Sequence, residues 1–77
     1  MIFGKRYSET YLVQGMKCAH CAAKTQKALS GLPGVKKVEI ILERGIATIV
    51  STREIPEEEV RHAIEEAGFV FAGKVQA

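Results

Sequence analysis

The stretch CAAKTQKALSGL, from Cys21 to Leu32, has the period of a helix, and the runs on either side of it have the character of strands; the same alternation recurs before the chain ends. Cys21, Ala22, Thr25, Ala28, Leu29 and Leu32 fall on one face at helical spacing, with Lys24, Gln26, Lys27 and Ser30 outward. Gly31, Pro33 and Gly34 stop the helix. Before it, Thr10–Gln14 (TYLVQ) is β-branched and aromatic and predicts a strand closed by Gly15. After it, Val35 to Leu42 alternates in part, with Val35, Val38 and Ile40 apolar, and Glu43, Arg44 and Gly45 predict a hairpin turn into a strand over Ile46 to Val50.

The second cycle opens at Pro56, whose fixed φ suits a first helical turn, and Glu57, Glu58 and Glu59 complement the positive end of the helix dipole. Val60, Ala63, Ile64 and Ala67 form its apolar face and Gly68 ends it. FVFAGKV, Phe69 to Val75, supplies a last strand, expected at a sheet edge because Gly73 and Lys74 interrupt it. The order βαββαβ predicts an α+β, ferredoxin-like fold: a four-stranded antiparallel sheet with two helices on one face. With 77 residues there is room for one domain. It is expected over residues 9–77, preceded by a lead-in of residues 1–8.

Charge excludes little by its total but says something by its placement. Eleven Lys and Arg against nine acids leave a net +2, too small to imply a nucleic-acid partner. Five of the nine acids, all of them Glu, lie between Glu57 and Glu66, while Lys17, Lys24, Lys27, Lys36 and Lys37 crowd the first half. No apolar run approaches the roughly 20 residues of a membrane span, and MIFGKRYSET lacks the apolar core of a secretory signal. A cytoplasmic protein without direct membrane insertion is the expectation.

The chemistry concentrates in Gly15 to Cys21, GMKCAHC, between the first strand and the first helix. Two cysteines three positions apart close too short a loop for a disulfide to restrict the unfolded chain much, so in a reducing compartment they read as a metal or redox pair. Thiolates are soft ligands that select Cu(I), Zn(II), Cd(II) or Hg(II), and the dipole at the helix start favours the thiolate. Zinc prefers three or four protein ligands, and here Cys18 and Cys21 stand without a carboxylate in the loop and behind the cation Lys17. A near-linear pair of sulfurs suits Cu(I) first, or Hg(II), and leaves room for an incoming thiol from another CxxC protein. His20 is expected on the solvent side of the loop and His62 on the outer face of the second helix, neither as a ligand. Met16 is read as the apolar plug beneath the loop, and Phe69 as a neighbour at the same end of the sheet.

GMKCAHC in the first loop of a βαββαβ pattern, together with GLPGVKKVEI (Gly31 to Ile40) and EEAGF (Glu65 to Phe69), resembles the heavy-metal-associated domain over roughly Glu9 to Val75. That family includes copper chaperones, N-terminal domains of copper-transporting P-type ATPases and mercury-binding proteins. The resemblance implies that Cys18 and Cys21 bind metal, that Met16 is buried beneath the loop, and that Phe69 borders the site. Phe at that position is commoner in the ATPase domains and mercury-binding members, where copper chaperones usually carry Tyr or Lys. The implied function is binding of Cu(I) and its transfer to a copper-transporting P-type ATPase or another CxxC metal-binding domain, without enzymatic activity, with a metal-bridged dimer as a further possibility. Three alternatives stand beside it: an Hg(II)-binding protein of the same fold, a glutaredoxin-like thiol-disulfide oxidoreductase, and an interaction module that merely keeps the fold. A redox enzyme of that kind would be marked by a Pro within the CxxC and another before a nearby strand, whereas Pro33 lies in a turn and Pro56 at a helix start.

Overall fold

The computed structural model describes residues 7–75, so residues 1–6 of the expected lead-in lie outside the described residues. The elements are β1 (Tyr7–Gln14), α1 (Ala19–Ser30), β2 (Val35–Ile41), a single 3-10 turn (Leu42–Arg44), β3 (Ile46–Ser51), α2 (Glu57–Glu66) and β4 (Val70–Val75). The strands form one antiparallel sheet in the order β2-β3-β1-β4. This is the ferredoxin-like arrangement that the order of elements predicts, with β4 at an edge.

Alternation in the strands decides which face the helices cover. In β3, Ala47, Ile49 and Ser51 are buried, and in β1 Tyr11 and Val13 are buried. Across from them lie Leu29 of α1 and Val60 and Ile64 of α2, all fully buried. Helices and sheet therefore share one core between them. The predicted apolar stripe of α2, Val60, Ala63, Ile64 and Ala67, is buried throughout.

Five details differ from the sequence reading, each for a local reason. β1 begins at Tyr7 because Tyr7 and Ser8 pair with Ser51 and Val50, which takes into the sheet two residues read as lead-in. α1 starts at Ala19, two residues earlier than its apolar periodicity shows, since Ala19 and His20 are exposed and leave no mark on the pattern. The imperfect alternation of β2 is a bulge: the register with β3 shifts between Val35 and Lys37, so Val35 and Val38 both face the core although three positions apart. Pro56 sits just before α2 as its N-cap residue rather than within the first turn. In β4 the residues Gly73 and Lys74 do not interrupt the strand; a register shift opposite Leu12 and Val13 absorbs the extra residue, and Lys74 pairs with Glu9 at 2.9 Å.

Two caps join the helices to the rest. Arg53, in the loop before α2, donates through Nε to the Pro33 carbonyl at 2.7 Å and pairs with Glu59 at 2.9 Å, clasping the α1–β2 turn to α2. At the other end of α2, Gly68 takes φ +96°, the Gly68 amide donates to the Glu65 carbonyl at 3.0 Å, and the Phe69 amide donates to the Ile64 carbonyl at 3.1 Å. This pair of bonds is the Schellman motif, which needs a left-handed residue where Gly68 stands. It turns Phe69 back onto the core at the end of the sheet where β1 meets α1.

Ile64 is the central test of this packing. Replacing Ile64 with Ala is expected to destabilise the fold by about 2–5 kcal/mol, read as a lower urea midpoint by circular dichroism. A loss below about 1 kcal/mol would contradict a close-packed helix–sheet core.

Candidate metal centre

The centre stands on the connection from β1 to α1. Gly15 leaves β1 with φ +102°, and a Cβ there would lie 3.3 Å from the Phe69 ring, so backbone and aromatic ring approach as closely as a glycine allows. Met16, half-buried, packs against the core beneath the loop. Lys17 and Cys18 are then exposed, and Cys18 is the N-cap residue of α1 with extended backbone, φ −157° and ψ 173°. The first helical bond, from the Ala22 amide to the Cys18 carbonyl, is 3.1 Å. One turn into α1, Cys21 is half-buried.

This geometry brings the two sulfurs together, with the Cys18 thiol directed at Cys21 Sγ at 3.7 Å, and both cysteines are free. Among the described residues no His, Cys, Asp or Glu joins them in a group of three. His20 lies between them in sequence yet is exposed, and His62 is on the outer face of α2, where Nε2 is 3.6 Å from Glu66. Both histidines therefore stand where the sequence places them. The 3.7 Å separation is that of two free thiols in contact, close enough for a single soft ion to bind both. On the Cys18 side the pair is exposed.

Electrostatics favours the thiolate at Cys18. The neutral thiol makes no side-chain capping bond. Even so, the backbone N–H of Cys21, then its thiol, then the backbone N–H of His20 hold the Cys18 thiol below the ordinary cysteine range. These are the unpaired donors of a helix start, and a charge on sulfur is what they stabilise.

Two neighbours escaped the sequence reading. Thr25, placed on the inner face of α1, is fully buried and its hydroxyl donates to the Cys21 carbonyl at 3.1 Å. Gln26, read only as outward, donates from Nε2 to the Val38 carbonyl of β2 at 3.1 Å. A Thr four residues after a candidate ligand, at a position that an aliphatic residue would fill, is the signal that could have pointed to the first; nothing in the sequence marks the second.

Because the helix-start donors lower the Cys18 thiol, its thiolate persists to more acidic pH than in an unfolded chain. Site-resolved alkylation with a monofunctional reagent should therefore give a lower midpoint for Cys18 in the native protein than in urea. Cys21→Ala should move that midpoint part of the way up, since the thiol goes and the backbone amide stays. Equal native and unfolded midpoints would refute the stabilisation of the thiolate by these helix-start donors.

Known proteins share this arrangement. The family model described as "Heavy-metal-associated domain" matches residues 10–69. The chain is 36% identical over 62 residues to "Copper-transporting ATPase 2" of Rhizobium meliloti (strain 1021), covering 80% of this chain and 8% of that protein. It is 33% identical over 57 residues to "Mercuric reductase" of Acidithiobacillus ferrooxidans, covering 74% of this chain and 10% of the reductase. The chain thus spans only about a tenth of these two relatives. Among solved structures, "CopZ metallochaperone" superposes with a TM-score of 0.78 at 26% identity, covering 86% of this chain and 100% of that one. With most of its length inside the family model, this chain belongs to the heavy-metal-associated domain family.

Proposed function

We propose that this domain carries Cu(I), held by the thiolates of Cys18 and Cys21, and passes it to another CxxC metal-binding domain such as that of a copper-transporting P-type ATPase. The observation that carries the reading is the pair of surface sulfurs 3.7 Å apart, without a third clustered ligand among the described residues. Soft thiolates select a soft ion, and an open third position admits the sulfur of an acceptor before either donor bond breaks. The ion is cargo and no bond of a substrate is broken, so the domain acts as a carrier and not as an enzyme. Similarity to a copper-transporting ATPase and to a copper metallochaperone supports copper as the cargo.

Hg(II) is the second reading, favoured by the match to a mercuric reductase and by Phe69 beside the loop. Its softness suits the same two sulfurs. The carrier belongs in the cytoplasm, where thiols stay reduced. No helix among the described residues is long and apolar enough to cross a membrane. Two copies capping one ion through four thiolates would form a metal-bridged dimer, and the exposed loop leaves space for that approach.

Lys17, Lys24 and Lys27 are exposed near the sulfurs and along α1, while five glutamates lie on and around α2. The basic side steers the loaded domain to an acidic patch on an acceptor.

Anaerobic titration of the reduced protein against a chromophoric Cu(I) chelator tests the cargo. About one Cu(I) per chain should be retained, and lost in Cys18→Ser or Cys21→Ser, with Zn(II) bound weakly. Failure to hold Cu(I) while Hg(II) is held would move the assignment to mercury, and turnover of a mixed disulfide would move it to thiol–disulfide exchange. Charge reversal at Lys24 and Lys27 should slow transfer by roughly tenfold at low salt, with the gap closing as salt rises. Transfer at the wild-type rate in both conditions would remove the docking role of α1.

A further inference from the structure

Thr25 is an unusual core residue. It is fully buried alongside Leu29, Val60 and Ile64, in a place that Val or Ile would fill without burying a hydroxyl. A buried hydroxyl is costly unless bonded, and the bond this one makes is to the backbone carbonyl of Cys21, 3.1 Å away and one helical turn nearer the metal loop. In a helix interior this back-bond to the i−4 carbonyl brings little stability and tilts that carbonyl. Stability alone therefore does not account for the residue.

What surrounds Cys21 gives the bond a use. The first turn of α1 lacks the usual reinforcements: its N-cap is Cys18, which makes no side-chain capping bond, and no acidic residue lies in the turn. A Ser, Thr, Asn or Asp would normally close that end, but here the cap position is taken by a sulfur. The turn carrying both sulfurs is thus held from one side by the loop and from below by Thr25. The Thr25 side chain is β-branched, with few rotamers, and is fixed by close packing.

We propose that Thr25 is the positioning residue of the cysteine pair: its buried hydroxyl fixes the first turn of α1 and so keeps the Cys21 sulfur within 3.7 Å of Cys18. The proposal rests on the reading that the pair closes on one soft ion, and it adds which residue sets the spacing. Thr25 does not touch the ion; it acts through the Cys21 backbone.

The test separates spacing from packing by two conservative variants and a probe that does not depend on the identity of the metal. Phenylarsine oxide bridges a dithiol by forming two As–S bonds, with its oxygen leaving as water, and its retention against a competing small dithiol reports how well the two sulfurs meet. Thr25→Val keeps shape and branching but removes the hydroxyl. It should retain the arsenical about tenfold less well, with a thermal midpoint equal to or above that of the wild type. Thr25→Ser keeps the hydroxyl and loses a methyl. It should retain the arsenical within about twofold of the wild type, with a lower thermal midpoint. A purely structural residue would make retention follow stability, the reverse of this pattern. Wild-type retention in Thr25→Val overturns the proposal, and so does a loss in Thr25→Ser as large as in Thr25→Val. If the wild-type protein holds the arsenical but not Cu(I), the copper reading fails while the comparison of the two variants still decides the role of Thr25.

Discussion

The packing of one helix layer against one face of the sheet governs the rest of this molecule. Leu29 of α1 and Val60 and Ile64 of α2 lose all solvent contact only by lying across Ala47, Ile49, Tyr11 and Val13. Burial on that scale contributes a few kcal/mol for each large side chain, about 1.5–3 by transfer data, far more than any exposed ion pair on the surface. Once α1 is held there, its N-terminus lies at the end of the sheet where β1 finishes, and the connection between them must cross that end as a short loop. The cysteines occupy that loop and the turn it enters. Their position follows from the core even though neither belongs to it.

At that end of the sheet the demands of thiolate formation and of helix formation meet in the same residues. A helix start offers unpaired N–H groups, which stabilise a thiolate at Cys18. The same choice leaves α1 without an oxygen cap. Compensation comes from the far side of each element: Met16 under the loop, Thr25 under Cys21, and Phe69 against Gly15. The last of these depends on Gly68, because only the left-handed turn of the Schellman motif brings the ring back toward the sheet. Residues separated by more than fifty positions in sequence thereby act on one loop.

Periodicity made both helix faces legible, because the buried residues of α1 and α2 recur at three and four positions and solvent takes the rest. The glycine after α2 and the edge position of β4 were equally readable. Strand limits were less so. Tyr7 and Ser8 join β1 through backbone pairing with Ser51 and Val50, and backbone bonds leave no signature in side-chain type. The bulge at Lys36 hid a core face by shifting its phase, since one extra residue turns an alternation of two into a gap of three. For the site, the pairing of the cysteines on one loop was legible, while their separation was not: spacing in sequence does not set the torsions that bring two sulfurs to 3.7 Å. The Thr25 hydroxyl was hidden for a similar reason, as a Thr on an inner face packs through its methyl whether or not its oxygen finds a partner.

An architecture with helices on one face only has little with which to cover the end of its sheet. The β2–β3 turn reaches across as far as Val13, whose amide donates to the Gly45 carbonyl at 2.8 Å, and Phe69 shields Gly15; beyond these the Cys18 side stays open. Two sulfurs in such a place find no third clustered His, Cys, Asp or Glu among the described residues. For a structural metal site that would be a defect, because structural zinc is enclosed by four ligands. For the carrier proposed above the same openness is what transfer requires. In that reading an acceptor thiol would enter on the open side, and exchange would proceed through shared coordination without release of the ion to water. The fold would thus suit an intermediary better than a store, with the open face of the loop as the place where a partner would complete the site.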